Sequence, residues 1–170
     1  NHKRDLIDAA FALNEGGGGR TDGKGAVVTQ AIQVGEKIYQ DYKLVATNPG
    51  GHSSRPVRDN AIYAMSDALL KIREHEFPTE FNDTTRVFFA RAGAARKDEM
   101  GAAMAALAKD PDDAKAVAVV NTDKGYHSML RTTCVATMLS GGHAENALPQ
   151  KATATVNCRI FPGVSERDVQ

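Results

Sequence analysis

Neither sign of charge dominates this 170-residue sequence: Lys plus Arg number 21, Asp plus Glu number 21, and the formal net charge is zero. Partners such as nucleic acid or an anionic membrane call for a basic footprint, and the chain has none. Long apolar runs are missing as well; none approaches the roughly 18 residues of a membrane span. Cysteine is scarce, and the two present, Cys134 and Cys158, are spaced for neither a C-x-x-C redox motif nor a zinc knuckle. The glycine run Gly16–Gly19 is no phosphate loop, because Glu15 leads into it and no Gly-Lys-Ser/Thr follows. A signal peptide is absent and the first residue is Asn rather than Met, which points to a processed or excised piece.

What is present supports one domain of ordinary size with a scrap of another, since 42% of residues are apolar. Leu6–Leu13 reads as a buried strand emptying through Asn14 and Glu15 into the glycines, and a carboxylate at such a strand end is a candidate metal ligand. Ala26–Val34 and Lys37–Thr47 are rich in β-branched and aromatic residues, and Gly35-Glu36 between them predicts a hairpin. In the second strand Ile38, Gln40, Tyr42 and Leu44 share a face, expected to meet helices. The turn Gly50–Pro56 follows, with His52 held between glycines and serines. Val57–His75 carries Ala61, Ile62, Met65, Ala68, Leu69 and Ile72 on one helical stripe, with Asp59 as the expected cap.

The region from about 79 to 123 is predicted to be a helical insert or flap of small side chains that bury little area. Thr85–Ala92 is open to helix or strand, Lys97–Lys109 is helical by propensity, and Pro111 can start another helix running to Val120. Thr132–Leu139 and Lys151–Phe161 are predicted strands on either side of a polar loop. Ser165 caps the start of a helix in which the chain ends, so a downstream continuation is expected. Cys134 and Cys158 could face each other across the two strands, and the expectation is a buried reduced pair. The element order predicts an α+β fold. With one more strand it becomes a ferredoxin-like β-α-β-β-α-β antiparallel sheet with helices on one face, here truncated at the C-terminus.

Three separated motifs make the sequence resemble the dimerisation, or lid, domain of metallopeptidase family M-twenty. They are Gly51-His52-Ser53-Ser54-Arg55-Pro56 followed by Asp59-Asn60-Ala61; Gly141-Gly142 leading to Asn146-Ala147-Leu148-Pro149; and Asn157-Cys158-Arg159-Ile160-Phe161-Pro162-Gly163. Leu13–Gly17 and the long insert resemble the carboxypeptidase S-like branch of that family. The resemblance implies that residues 1–25 are a remnant of a zinc catalytic domain and 26–170 the lid. It implies that the parent is a dinuclear zinc hydrolase cleaving an amide bond beside a free carboxylate in a dipeptide, a C-terminal residue or an N-acyl amino acid. It makes Glu15 a zinc ligand and His52 the stabiliser of the tetrahedral oxyanion in a dimer partner's site. It makes Asn146 and Arg159 the grip on the substrate carboxylate. Physical chemistry agrees: an aimed donor at a developing oxyanion is worth several kcal/mol, and a guanidinium fork reads a carboxylate.

The family's other metal ligands and its general base have no counterpart in the chain, and His2, His75, His127 and His143 lie in no ligand-like spacing. The isolated chain is therefore expected to be inactive and to bind no zinc, while self-association into a homodimer is expected. The competing reading is a non-catalytic ferredoxin-like module for amino-acid binding or dimerisation, in which Asn146 and Arg159 hold a carboxylate without chemistry.

Overall fold

The computed structural model describes Leu6, residues 8–10 and residues 17–170. Glu15 lies outside the described residues. So does most of the strand predicted for Leu6–Leu13, whose described members Leu6, Asp8, Ala9 and Ala10 are exposed and carry no strand. The chain divides into two compact units, residues 1–36 and 37–170.

In the first unit, β1 (Gly18–Thr21) pairs antiparallel with β2 (Val27–Ala31). This corrects the hairpin predicted across Gly35-Glu36. The turn that forms lies earlier, where the Asp22 carboxylate accepts from the backbone N–H of Lys24 at 2.8 Å and of Ala26 at 3.1 Å. An Asx-type turn outcompetes the Gly-Glu dipeptide because its side chain substitutes for the missing backbone acceptor.

The second unit is α+β. Its elements run β3 (Ile38–Thr47), β4 (Gly51–His52), α1 (Ala61–Glu74), α2 (Asp83–Ala95), α3 (Glu99–Leu107), α4 (Ala114–Val120), α5 (Lys124–Met129), β5 (Thr133–Gly141), β6 (Ala147–Leu148), β7 (Lys151–Ile160) and α6 (Glu166–Val169). β3, β7 and β5 form an antiparallel sheet in that order, so β7 is central and β5 has one bare edge; β4 and β6 form a separate two-residue ladder. β7 alternates as a half-buried strand must: Ala152, Ala154, Val156, Cys158 and Ile160 are buried, and the residues between them face the other way. The expected face of β3 meets helix α1, with Leu44 and Ala46 against Ala61, Met65 and Leu69, and Tyr42 and Leu44 nearer Ile72.

Helix α1 is capped by Asn60 and not, as expected, by Asp59. The Asn60 amide oxygen accepts from the N–H of Ile62 and Tyr63 at 2.9 and 3.0 Å, while Asp59 accepts from the Asn48 amide. Asn60 is buried, and the Ala61 N–H next to it donates to Pro149 O. Asn60→Ala is accordingly expected to cost about 1–2 kcal/mol, read as a lowered thermal midpoint, whereas Asp59→Ala costs a few tenths at most.

The insert is no loose flap. Phe89, Met104, Leu107, Val120 and Leu130 are fully buried in a core of its own, edged by Phe81 and Tyr126. Thr85–Ala92 is helical, inside α2, and its Asn82 cap and Thr85 form a reciprocal capping box. Helices α2 and α3 touch at glycines: a Cβ on Gly93 would stand 2.7 Å from Gly101 O. Small residues were thus read correctly as small, but their consequence is close helix contact rather than poor burial.

Cys134 and Cys158 are disulfide-bonded, which corrects the expected reduced pair. The register sets them directly opposite each other on β5 and β7, with Cα atoms 4.1 Å apart.

Candidate functional site

The turn after β3 is built to bring His52 against the loop before β7. Gly50 has φ 79°, and a Cβ there would stand 2.5 Å from the Gln150 side chain, so only glycine fits without displacement. Gln150 Nε2 donates to Pro49 O, and Asn48 N–H donates to Gln150 O. One step further, Gly51 and His52 pair with Leu148 and Ala147, and Ser53 N–H donates to Asn146 O at 3.0 Å. His52 and Asn146 are distant in sequence but adjacent in space, beside an open recess of about 490 Å³ lined by His52, Ser54, Arg55 and Leu148 among others.

His52 is exposed, and its ring is oriented. Nδ1 accepts the backbone N–H of Ser54 at 3.1 Å and lies 2.8 Å from Ser54 Oγ. A backbone N–H can only donate, so Nδ1 must present a lone pair. The proton of the neutral ring then sits on Nε2, on the far side of the imidazole, where it is a donor. Ser54 stands in the turn motif with His52, and its part in orienting the ring follows from these contacts.

Arg159 stands at the other end of the sheet. In register it lies between Tyr39 on β3 and Thr133 on β5. Its guanidinium carbon is 4.7 Å from the centre of the Tyr39 ring, a cation–π stack. Tyr39 in turn donates its hydroxyl to Asp41 at 2.9 Å, and Asn157 donates its amide to the other Asp41 oxygen at 2.8 Å. The Asp41 carboxylate holds the Tyr39 hydroxyl above the ordinary phenol range. Alternation along β3 put Tyr39 and Asp41 on one face, but nothing in the sequence could pair that face with Arg159.

Lys37 reaches the same corner, with Nζ 3.3 Å from Thr133 Oγ1. Burial, then the guanidiniums of Arg131 and Arg159, bring its ammonium down to about 8.

Asn146 and Arg159 therefore do not meet within one chain. His52 and Asn146 lie past the Lys151 end of β7, and Arg159 is eight residues further on. At about 3.4 Å per residue, that stretch is roughly 27 Å.

Among the described residues, no three His, Cys, Asp or Glu side chains are grouped to hold a metal ion. His75 stacks edge-on against Phe77, His127 contacts Asn121, and His143 is exposed; His2 lies outside the described residues. A dinuclear zinc centre does not fit these residues.

A family model for the peptidase dimerisation domain matches residues 34–170. Among curated proteins, the chain is 31% identical over 140 residues to "Probable carboxypeptidase S-like 2" of Dictyostelium discoideum, a match covering 82% of this chain and 26% of that protein. It is 27% identical over 170 residues to carboxypeptidase S of Saccharomyces cerevisiae, covering 94% and 29%. It is 26% identical over 140 residues to an N-fatty-acyl-amino acid synthase/hydrolase of Homo sapiens, covering 81% and 27%. The chain thus spans little more than a quarter of the length of these relatives. With its whole second unit inside the matched range, the chain belongs to the peptidase dimerisation domains of the M-twenty peptidases.

Proposed function

We propose that this chain is the pairing and substrate-holding part of a zinc-dependent hydrolase that cuts an amide bond beside a free carboxylate, and that two copies complete each site. The observation that carries this is the separation of His52 and Asn146 from Arg159 by the length of the sheet. On this reading the bare β5 edge pairs antiparallel with the β5 edge of a second copy. The Gly141 end of one strand then lies beside the Thr133 end of its copy, because a two-fold axis reverses direction. That puts the His52–Asn146 clasp of one chain near Arg159 of the other. Arg159 takes the carboxylate through its fork, and the Nε2 proton of His52 meets the oxyanion as it forms. The metal belongs to residues of the parent protein, since the described residues here supply no set for it.

The edge is fit for pairing. Val135, Met138 and Leu139 on β5 are exposed, at 59, 68 and 66%, and Ile62, Tyr63 and Leu70 of the neighbouring α1 are exposed too. A strand after α6 could then cover the free edge of β3 and close a ferredoxin-like sheet. Light scattering on the eluted chain is expected to give twice the chain mass, and Val135→Lys with Leu139→Lys to give the single mass with melting unchanged. A chain that elutes as a monomer, or whose dimer ignores both lysines, rules out this interface.

A further inference from the structure

We propose that Lys37 is a specificity-determining residue: its ammonium, 3.3 Å from Thr133 Oγ1, and the Arg159 guanidinium, stacked on Tyr39 at the same end of the sheet, form a two-cation receptor for a carboxylate. The inference deepens the reading of Arg159 given above and rests on it.

Both cations have binding capacity left. The Lys37 ammonium carries three donors, and its one contact is the neutral hydroxyl of Thr133. Arg159 offers one face of its plane to Tyr39 and keeps its edge, where the paired N–H donors lie. Neither makes an ion pair among the described residues. The carboxylates nearby are taken. Asp41 accepts from Tyr39 and Asn157, and Glu76 from Arg131 and Asn121. His127 adds no charge at neutral pH, because burial and then Arg131 hold it below the ordinary imidazole range. Lys37, Arg131 and Arg159 therefore share one corner, and among the described residues Glu76 ion-pairs with Arg131 and with neither of the other two.

Like charges this close cost free energy unless an anion arrives. Burial first, and then the two guanidiniums, lower the Lys37 ammonium, and the sign follows. Folding disfavours its charged form, so the fold bears the full penalty below about pH 8 and regains stability as pH rises from there towards 10.5. A bound carboxylate reverses this by stabilising the charged form, and carboxylate binding weakens as Lys37 loses its proton above about pH 8. An uncharged amide gains nothing from either cation, which makes the pair a filter for acids against their amides.

The receptor lies in one chain, so the 170-residue chain itself can be tested by NMR with N-acetylglycine and N-acetylglycinamide as probes. The acid is expected to shift the Lys37 Cε and Arg159 Nε–H signals saturably and the amide to leave them in place. Lys37→Met should weaken the acid about five- to tenfold and melt no lower than the parent, while Lys37→Arg should keep the affinity within about twofold. Undiminished affinity in Lys37→Met, with affinity lost in Arg159→Met, overturns the role of Lys37 and leaves Arg159 as the grip. Acid and amide binding alike, or neither variant changing the affinity, overturns both.

Discussion

His52→Ala in the full-length protein is expected to lower kcat by about 10²–10³-fold with little change in KM. On the proposed function the Nε2 proton, oriented by the two Ser54 contacts on Nδ1, counts only when charge builds on the oxygen. On the same proposal Arg159→Met is expected to act the other way and raise KM, since a carboxylate held there would be held alike before and during reaction. The two variants together test whether a site draws on two chains. Assayed at substrate well below the raised KM, each alone is nearly inactive. Mixed and allowed to exchange, half of the dimers pair one variant with the other, and one of the two sites in each takes an intact Arg159 from one chain and an intact His52 from the other. Activity is then expected to recover to about a quarter of the unaltered enzyme. Mixtures no better than either variant alone would mean that each site uses residues of a single chain, against roughly 27 Å of intervening strand.

The parts legible in the sequence are those whose cause is local. The alternation of β7, the stripe of α1, the Ser165 cap and the glycine turn before His52 follow from neighbours within a few positions. The cap of α1 slipped by one residue because Asp59 and Asn60 are both able caps. Pro149 O, almost ninety residues downstream and bonded to Ala61 N–H, helps fix which of them starts the helix. The insert's core has a related cause: Phe81 before α2, Phe89 on α2 and Tyr126 on α5 meet only once segments far apart in sequence have closed on one another. His52 and Asn146, distant in sequence, adjoin in the fold. The separation of Arg159 from the clasp follows from strand rise along Lys151–Ile160, and what needed the sheet is its pairing with Tyr39 and Thr133. The partners of Tyr39, Asp41 and Lys37 were not readable, because each lies on another strand.

The largest effect on stability is expected from Glu76→Ala, at about 3 kcal/mol, seen as a lowered urea midpoint with unchanged slope. Arg131 is 3% exposed at the mouth of β5 and donates to Glu76, Phe77 O, Thr79 and Asn121, with its Nε left without a partner. Those contacts tie the end of α1 and the insert to the sheet. Glu76 is the one carboxylate bonded to Arg131, and it is itself half exposed. The asymmetry decides which side of the pair costs more. Without Glu76 a buried guanidinium faces Lys37 and Arg159 with no counter-charge, and it cannot shed its proton. Without Arg131 the Glu76 carboxylate turns to water, so Arg131→Met should cost less, about 1–2 kcal/mol, mostly for the stranded acceptors Phe77 O and Asn121. The double variant should then resemble Arg131→Met alone, because the liability that Glu76→Ala creates is gone. Equal losses for the two single variants, or a double variant worse than both by the sum of their effects, would show that Arg131 is stabilised by its neutral acceptors and that the charge of Glu76 contributes little.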